Sequence, residues 1–182
     1  VAVNPIRSCG ECCYCAAGQR HLCASVALTG VSADGGGFAE SSVVPAESVV
    51  SLPESVPPKI GALVEQFSVA LHAVRQADLT VGDSVSEFGS GPIGLGIVQL
   101  VRAAGATDVF VSEPRDARRK RAADLGATTV DPTETDPISL IKSSTDGGTD
   151  IAFEVAGIEQ TYNDAITSTR RDGTIVVVSM FE

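Results

Sequence analysis

The chain has 182 residues, 43% of them hydrophobic, enough to bury a sizeable core as one domain or two small ones. Twenty-three acidic against thirteen basic side chains leave a net charge of −10, which argues against nucleic acid or an anionic lipid surface as a partner. No apolar run approaches the ~18 residues needed to cross a membrane, and the acidic, lysine-poor balance suits both a salt-adapted protein and an ordinary acidic cytosolic one.

The opening residues, Val1-Ala2-Val3-Asn4-Pro5, resemble neither a basic leader nor a cleavage site and read as the middle of a strand, so the chain is expected to be a fragment. Cys9, Cys12, Cys15 and Cys23 follow in the run C-x2-C-x2-C-x7-C. Four thiolates at that spacing can close a tetrahedral zinc with no open position for substrate, a structural site; free or disulfide-bonded thiols are the alternative. Cys13 can point away from the metal and is read as incidental. Thiols at metal spacing without a leader point to the reducing cytoplasm.

The turn Asp34-Gly35-Gly36-Gly37 leads into Ala39 to Val50, read as strands and turns, and then into a linker at Pro53, Pro57 and Pro58. From Ile60 through Gln76 the recurrence of Leu63, Val64, Phe67, Leu71 and Val74 predicts one amphipathic helix. Glu65 lies in that stripe, where an unpaired buried carboxylate is costly, so it should have a charged partner or a buried hydrogen bond.

Beyond Gly82 strand and helix patterns alternate. Strands are expected at 84–88, 108–112, 128–131, 150–155 and 174–180, and helices near 93–104, 115–125, 137–144 and 159–171. That order predicts an α/β fold, a doubly wound parallel sheet of about five strands with helices on both faces. Gly89-Ser90-Gly91-Pro92-Ile93-Gly94 ends the first strand and opens the first helix, the context that gives a G-x-G-x-x-G pattern its meaning. Gly89 permits the turn, Gly91 lets a pyrophosphate approach, and Gly94 lets helix and strand pack closely. Pro92 fits a first helical turn, whose free N–H groups and dipole favour phosphate.

Glu113, at the end of the second strand, is placed to accept hydrogen bonds from both ribose hydroxyls, which favours NAD over NADP. Arg118 can stack on adenine; the cluster Arg118, Arg119, Lys120 and Arg121 can receive a 2′-phosphate or form the wet face of its helix. Glu87, inside a strand expected to be apolar on both faces, has no explanation at this level.

The cysteine and glycine loops together resemble the zinc-dependent medium-chain alcohol dehydrogenases. Gly36-Gly37-Phe38-Ala39-Glu40, Leu63-Val64-Glu65, Ala70-Leu71-His72-Ala73-Val74, Ser112-Glu113-Pro114 and Ala117-Arg118-Arg119 carry the likeness further, toward the 2,3-butanediol dehydrogenase group, with sorbitol and threonine dehydrogenases nearby. The resemblance implies a partial GroES-like domain with the zinc lobe at 1–58, a connecting helix at 59–76, and a Rossmann NAD-binding domain at 77–182 short of the family's six strands. It also implies hydride exchange between NAD and a secondary alcohol or ketone, a second, catalytic zinc, and a homo-oligomer, dimer or tetramer.

Similar enzymes draw the catalytic-zinc ligands from a cysteine and a Gly-His-Glu placed before this lobe, and the chain shows neither. Glu65 matches a glutamate at or near that zinc, although Gln66 and Phe67 replace the usual proline and leucine. His21 is expected to be exposed and His72 packed in its helix. Val155 and Ala156 would border the adenosine, and Val178 to Met180 the nicotinamide end. The fragment alone is expected to be inactive; a non-catalytic dinucleotide-binding module with a structural zinc is the rival reading.

Overall fold

A computed structural model describes residues 1–180. They divide into two compact units, Val1–Glu65 and the chain from Gln66 onward, each described by itself.

The first unit holds two short antiparallel pairs. Strand β1 (Ala2–Val3) pairs with β4 (Val49–Val50), and β2 (Ile6–Arg7) with β3 (Ala27–Leu28). A single helical turn, α1 (Cys13–Ala16), sits in the cysteine loop. The strands expected between Ala39 and Val50 reduce to β4 alone: among the described residues no other strand forms in that stretch, and Phe38 and Val43 stand exposed. The helix expected from Ile60 is also interrupted. Pro58 begins one turn, α2 (Pro58–Gly61), and α3 runs from Val64 to Gln76.

The buried face of α3 differs from the expected stripe. Leu63 and Leu71 are exposed, while Ala70, Ala73 and Val74 are buried with Ala77 just beyond. The cause is close packing: a Cβ added to Gly96 of α4 (Pro92–Ala104) would sit 3.1 Å from the Ala70 Cβ, so only small side chains fit between the two helices.

In the second unit β5 (Val85–Phe88), β6 (Val109–Ser112), β7 (Thr128–Val130), β8 (Thr149–Glu154) and β9 (Thr169–Val177) form one parallel sheet in the order β7-β6-β5-β8-β9. One face packs Val85, Val111, Ile151 and Phe153 against α3, α4 and Ala122 of α5 (Asp116–Asp124). The other packs Phe88, Phe110 and Ala152 against Ile141 of α6 (Pro137–Ser144) and Ala165 of α7 (Glu159–Ser168). Helix boundaries follow local chemistry. Pro92 opens α4 and Gly105, at φ 107, closes it in the left-handed conformation, and the Asp136 carboxylate caps α6 by accepting from the Ile138 N–H at 3.0 Å.

At the last boundary α7 stops three residues short of its expected end. The Thr169 hydroxyl donates to the Ala165 carbonyl, and β9 pairs Thr169 with Thr149, then Thr174 with Ile151. The extra residues of β9 form a bulge between these pairs, with Asp172 at φ 65. Strand β9 therefore begins at Thr169 and ends at Val177, leaving Val178 to Met180 as irregular chain.

Candidate functional site

The cysteine lobe brings four sulfurs together. Sγ atoms of Cys9, Cys12, Cys15 and Cys23 lie within 4.8 Å of one another, with Cys9 and Cys15 3.9 Å apart and Cys23 and Cys9 3.6 Å apart. Four sulfurs about 2.3 Å from one tetrahedral ion lie about 3.8 Å from each other, so the donor set fits a single zinc. Backbone N–H groups donate to the same sulfurs: Cys12 N to Cys9 Sγ at 3.4 Å, and Cys9 N and Ser25 N each to Cys23 Sγ at 3.3 Å.

The thiols differ accordingly. Hydrogen bonds from the Cys15 and Ala24 backbone hold the Cys12 thiol down to about 6, while burial, aided by the Cys12 and Cys23 sulfurs, pushes Cys15 up to about 11. Cys13 is exposed and outside the cluster, and His21 is exposed. Among the described residues this is the one grouping of His, Cys, Asp and Glu suited to a metal.

The second site lies at the carboxyl ends of β5, β8 and β9. Because β6 and β7 extend from one side of β5 and β8 and β9 from the other, the winding reverses here, where doubly wound sheets open a crevice. Three glycines in the loop after β5 have distinct reasons. Gly89, at φ 98, lies so close to the next turn that an added Cβ would sit 2.9 Å from the Ala156 Cβ. A Cβ on Gly94 would meet the Gly89 carbonyl at 2.5 Å and the Glu87 Oε1 at 2.7 Å. Gly91 is otherwise: its φ is −75 and an added Cβ would meet nothing within 4 Å. Neither backbone nor packing calls for glycine there, and the open space lies at the N-cap of α4, where N–H groups and dipole suit an anion. Ser90 is fully buried, and its Oγ has no hydrogen-bond partner.

Glu113 follows β6 but is turned inward, 3% exposed. Its Oε2 accepts from the Ser90 N–H and its Oε1 from the Arg115 N–H, both at 2.9 Å, and Arg118 stands 3.8 Å away. A carboxylate has about four acceptor positions, so capacity remains for a hydroxyl. Arg118 is part-exposed. Arg119, grouped with it in sequence as wet-face cations, instead bonds the carbonyls of Glu113 and Pro114 and pairs with Asp131 at 3.1 Å.

Glu87 stands on the α4 face of β5, in register with Val111 and Phe153. Neither carboxyl oxygen has a hydrogen-bond partner, and burial, with the nearby Glu113 charge adding to it, holds the group well above the ordinary 4.5.

Sequence reasoning did not single out Glu154, the last residue of β8. Completely buried, its Oε1 accepts from the N–H groups of Ala156 and Gly157, each at 2.9 Å, and from the Thr161 hydroxyl at 2.7 Å, while Oε2 accepts from the Ser179 hydroxyl. The available signal was a charged residue closing an apolar strand immediately before Val-Ala-Gly. Val155 and Val178 are part-buried, and Ala156 and Met180 are exposed, all at this end of the sheet.

Two expectations about side chains fail. Glu65 is exposed, so no burial cost demands a partner; it borders a pocket of about 380 Å³ with Val1, Leu52, Pro58 and Gly61. His72 is exposed on α3 rather than packed.

The family model described as zinc-binding dehydrogenase matches residues 92–182, and that of the alcohol dehydrogenase GroES-like domain matches residues 1–54. The chain belongs to the zinc-dependent medium-chain alcohol dehydrogenases.

Within this dehydrogenase family, the chain is 42% identical over 166 residues to the (R,R)-butanediol dehydrogenase of Bacillus subtilis, covering 91% of the chain and 48% of that protein. The crystal structure of 2R,3R-butanediol dehydrogenase from the same organism superposes with a TM-score of 0.86 at 39% identity, over 99% of this chain and 51% of that one. A zinc-binding dehydrogenase from Sinorhizobium meliloti 1021, bound to NADP, gives a TM-score of 0.90 at 34% identity, over 99% and 54% of the two chains. The chain thus spans about half the length of the relatives it matches. Among the described residues, no helix of this family member is long and apolar enough to cross a membrane.

Proposed function

We propose that the chain carries the dinucleotide-binding and structural-zinc parts of a cytoplasmic, homo-oligomeric NAD-dependent alcohol dehydrogenase, acting on a vicinal diol such as 2,3-butanediol or its ketol. The observation that carries the reading is Gly91, a glycine that neither backbone nor packing requires, at the mouth of a helix and at the reversal point of the sheet. The likeness to butanediol dehydrogenase supports this substrate class. When bound, the dinucleotide supplies the hydride acceptor, and a catalytic zinc supplies Lewis acidity toward the alcohol oxygen.

The chain's own residues hold and orient. Gly89 to Gly94 and the α4 N-terminus receive the pyrophosphate. Glu113 accepts from the adenosine ribose hydroxyls, its charge opposing a 2′-phosphate, with Arg118 against the adenine side. Val155 and Ala156 border the adenosine, and Val178 to Met180 the nicotinamide end. The four cysteines hold a zinc that stabilises the lobe without touching substrate, and Glu65 stands at or near the catalytic zinc. With no second metal grouping among the described residues, the 182-residue chain binds dinucleotide but does not turn over diol.

Calorimetric titration with NADH and NADPH, with metal analysis and a butanediol assay on the same sample, tests the reading. NADH should bind more tightly than NADPH, with one zinc per chain and no turnover. Absence of NADH binding, or zinc-dependent oxidation of butanediol by this chain, would overturn it.

A further inference from the structure

Three stretches of chain meet behind the carboxyl ends of β5, β8 and β9, and one side chain ties two of them together. Gly157, at φ 77, comes so near the end of the described chain that an added Cβ would sit 2.9 Å from the Met180 carbonyl and 3.3 Å from the Ser179 Cβ. Ala156, beside it, packs on Gly89 of the glycine loop. Beneath this junction lies Glu154, with three donors on one oxygen and the Ser179 hydroxyl on the other. A buried carboxylate with four donors is fully compensated. Its donors come from the turn after β8, the start of α7 and the chain after β9.

We infer that Glu154 is a positioning residue for the dinucleotide, its carboxylate locking the Val155–Gly157 turn to Ser179 so that the adenosine-side and nicotinamide-side walls of the crevice form one rigid edge. The inference rests on the dinucleotide reading above. Glu154 touches no part of the cofactor; it acts through the backbone of the turn and through Ser179. The Ser179 hydroxyl bond is the side-chain link between the walls, added to backbone bonds from the Val178 and Ser179 N–H groups to the Glu154 carbonyl, whereas the bonds to Ala156, Gly157 and Thr161 shape the turn alone.

This division makes the roles separable. Ser179→Ala removes the side-chain link and leaves in place the turn's three bonds and the backbone bonds to the Glu154 carbonyl. Glu154→Gln keeps an acceptor for those three donors and offers an N–H to the Ser179 hydroxyl, which can accept, so the link survives in neutral form. Glu154→Ala removes both functions.

The experiment is calorimetric titration of the full 182-residue chain and its variants with NADH and with ADP-ribose, which lacks the nicotinamide. Ser179→Ala should weaken NADH by about tenfold, the scale of one hydrogen bond to a charged group, with ADP-ribose affinity close to wild type. Glu154→Gln should keep most of the wild-type NADH affinity that Glu154→Ala loses. Equal NADH affinity in wild type and Ser179→Ala, or a loss shared equally by NADH and ADP-ribose, would overturn the inference while leaving dinucleotide binding intact. Failure of the wild-type chain to bind either ligand would overturn the dinucleotide reading and the inference with it. If Glu154→Ala does not fold, Ser179→Ala alone decides.

Discussion

Replacing Glu87 by methionine should stabilise the protein, by an amount that grows with pH. The carboxyl group is 1% exposed, neither oxygen has a partner, and its neighbours in the sheet are Val111 and Phe153. Leaving a buried neutral polar group unpaired costs about 1–3 kcal/mol, and methionine has a similar length and an unbranched, adaptable chain. Burial, with the Glu113 charge adding to it, holds the folded-state carboxyl well above its ordinary 4.5. Above that value the folded protein binds a proton that the unfolded chain has released. The contribution of Glu87 is therefore greatest below pH 4.5 and falls by about 1.4 kcal/mol per pH unit as pH rises toward the folded-state value. Glu87→Met lacks this loss, so its advantage is about 1–3 kcal/mol in acid and widens toward neutrality. Urea unfolding followed by far-UV circular dichroism at about pH 4.5, about pH 6 and about pH 7.5 measures the gap. A destabilised variant, or a gap that does not change with pH, would mean that Glu87 is charged and paired in the folded protein.

Two alanine substitutions in the glycine loop should separate binding from folding. Gly91→Ala should weaken NADH by tenfold or more, while altering stability by less than about 0.5 kcal/mol, because its methyl enters space only a ligand would fill. Gly94→Ala should cost about 1–3 kcal/mol in thermal unfolding even without ligand, since its methyl collides with the Gly89 carbonyl and with Glu87. Asp150 accepts from the Ser84 N–H and hydroxyl and pairs with Arg170, and these hold its carboxyl down to about 2 from 3.8. Its contribution is present above pH 3.8 and lost as pH falls through about 2. Asp150→Asn should remove it, which acid titration of stability will register as a smaller loss between those limits. Cys23→Ser should abolish zinc retention on metal analysis and open residues 9–23 to proteolysis, since the remaining three thiolates no longer close the tetrahedron.

The parallel sheet was legible because its three central strands, β6, β5 and β8, are buried on both faces and the strands alternate with helical periods, a pattern set by local sequence. The cysteine lobe and glycine loop were legible for a related reason: each gathers its chemistry within a short span, 9–23 and 89–94. The α3 stripe misled because hydrophobicity alone ranks Leu63 and Leu71 above Ala70 and Ala73, whereas the approach of Gly96 admits only the smaller residues. The end of α7 turned on Thr169, whose hydroxyl bond to Ala165 and pairing with Thr149 outweigh a helical period. Glu154 escaped notice because Ser179 lies 25 residues further on, and what distinguishes a clamp from an ordinary buried acid is the set of donors the fold delivers to it.

The placement of β5 at the middle of the sheet also fixes the order in which the binding loop can mature. Ser90 is held by a carboxylate 23 residues later, and Gly89 rests on Ala156, whose turn is closed by Glu154 in a strand paired with β5 itself. Such contacts close long stretches of chain and carry a loop-closure entropy that no local preference offsets. Nascent chain ending before Glu113 therefore contains the complete glycine motif without the carboxylate and the turn that shape it.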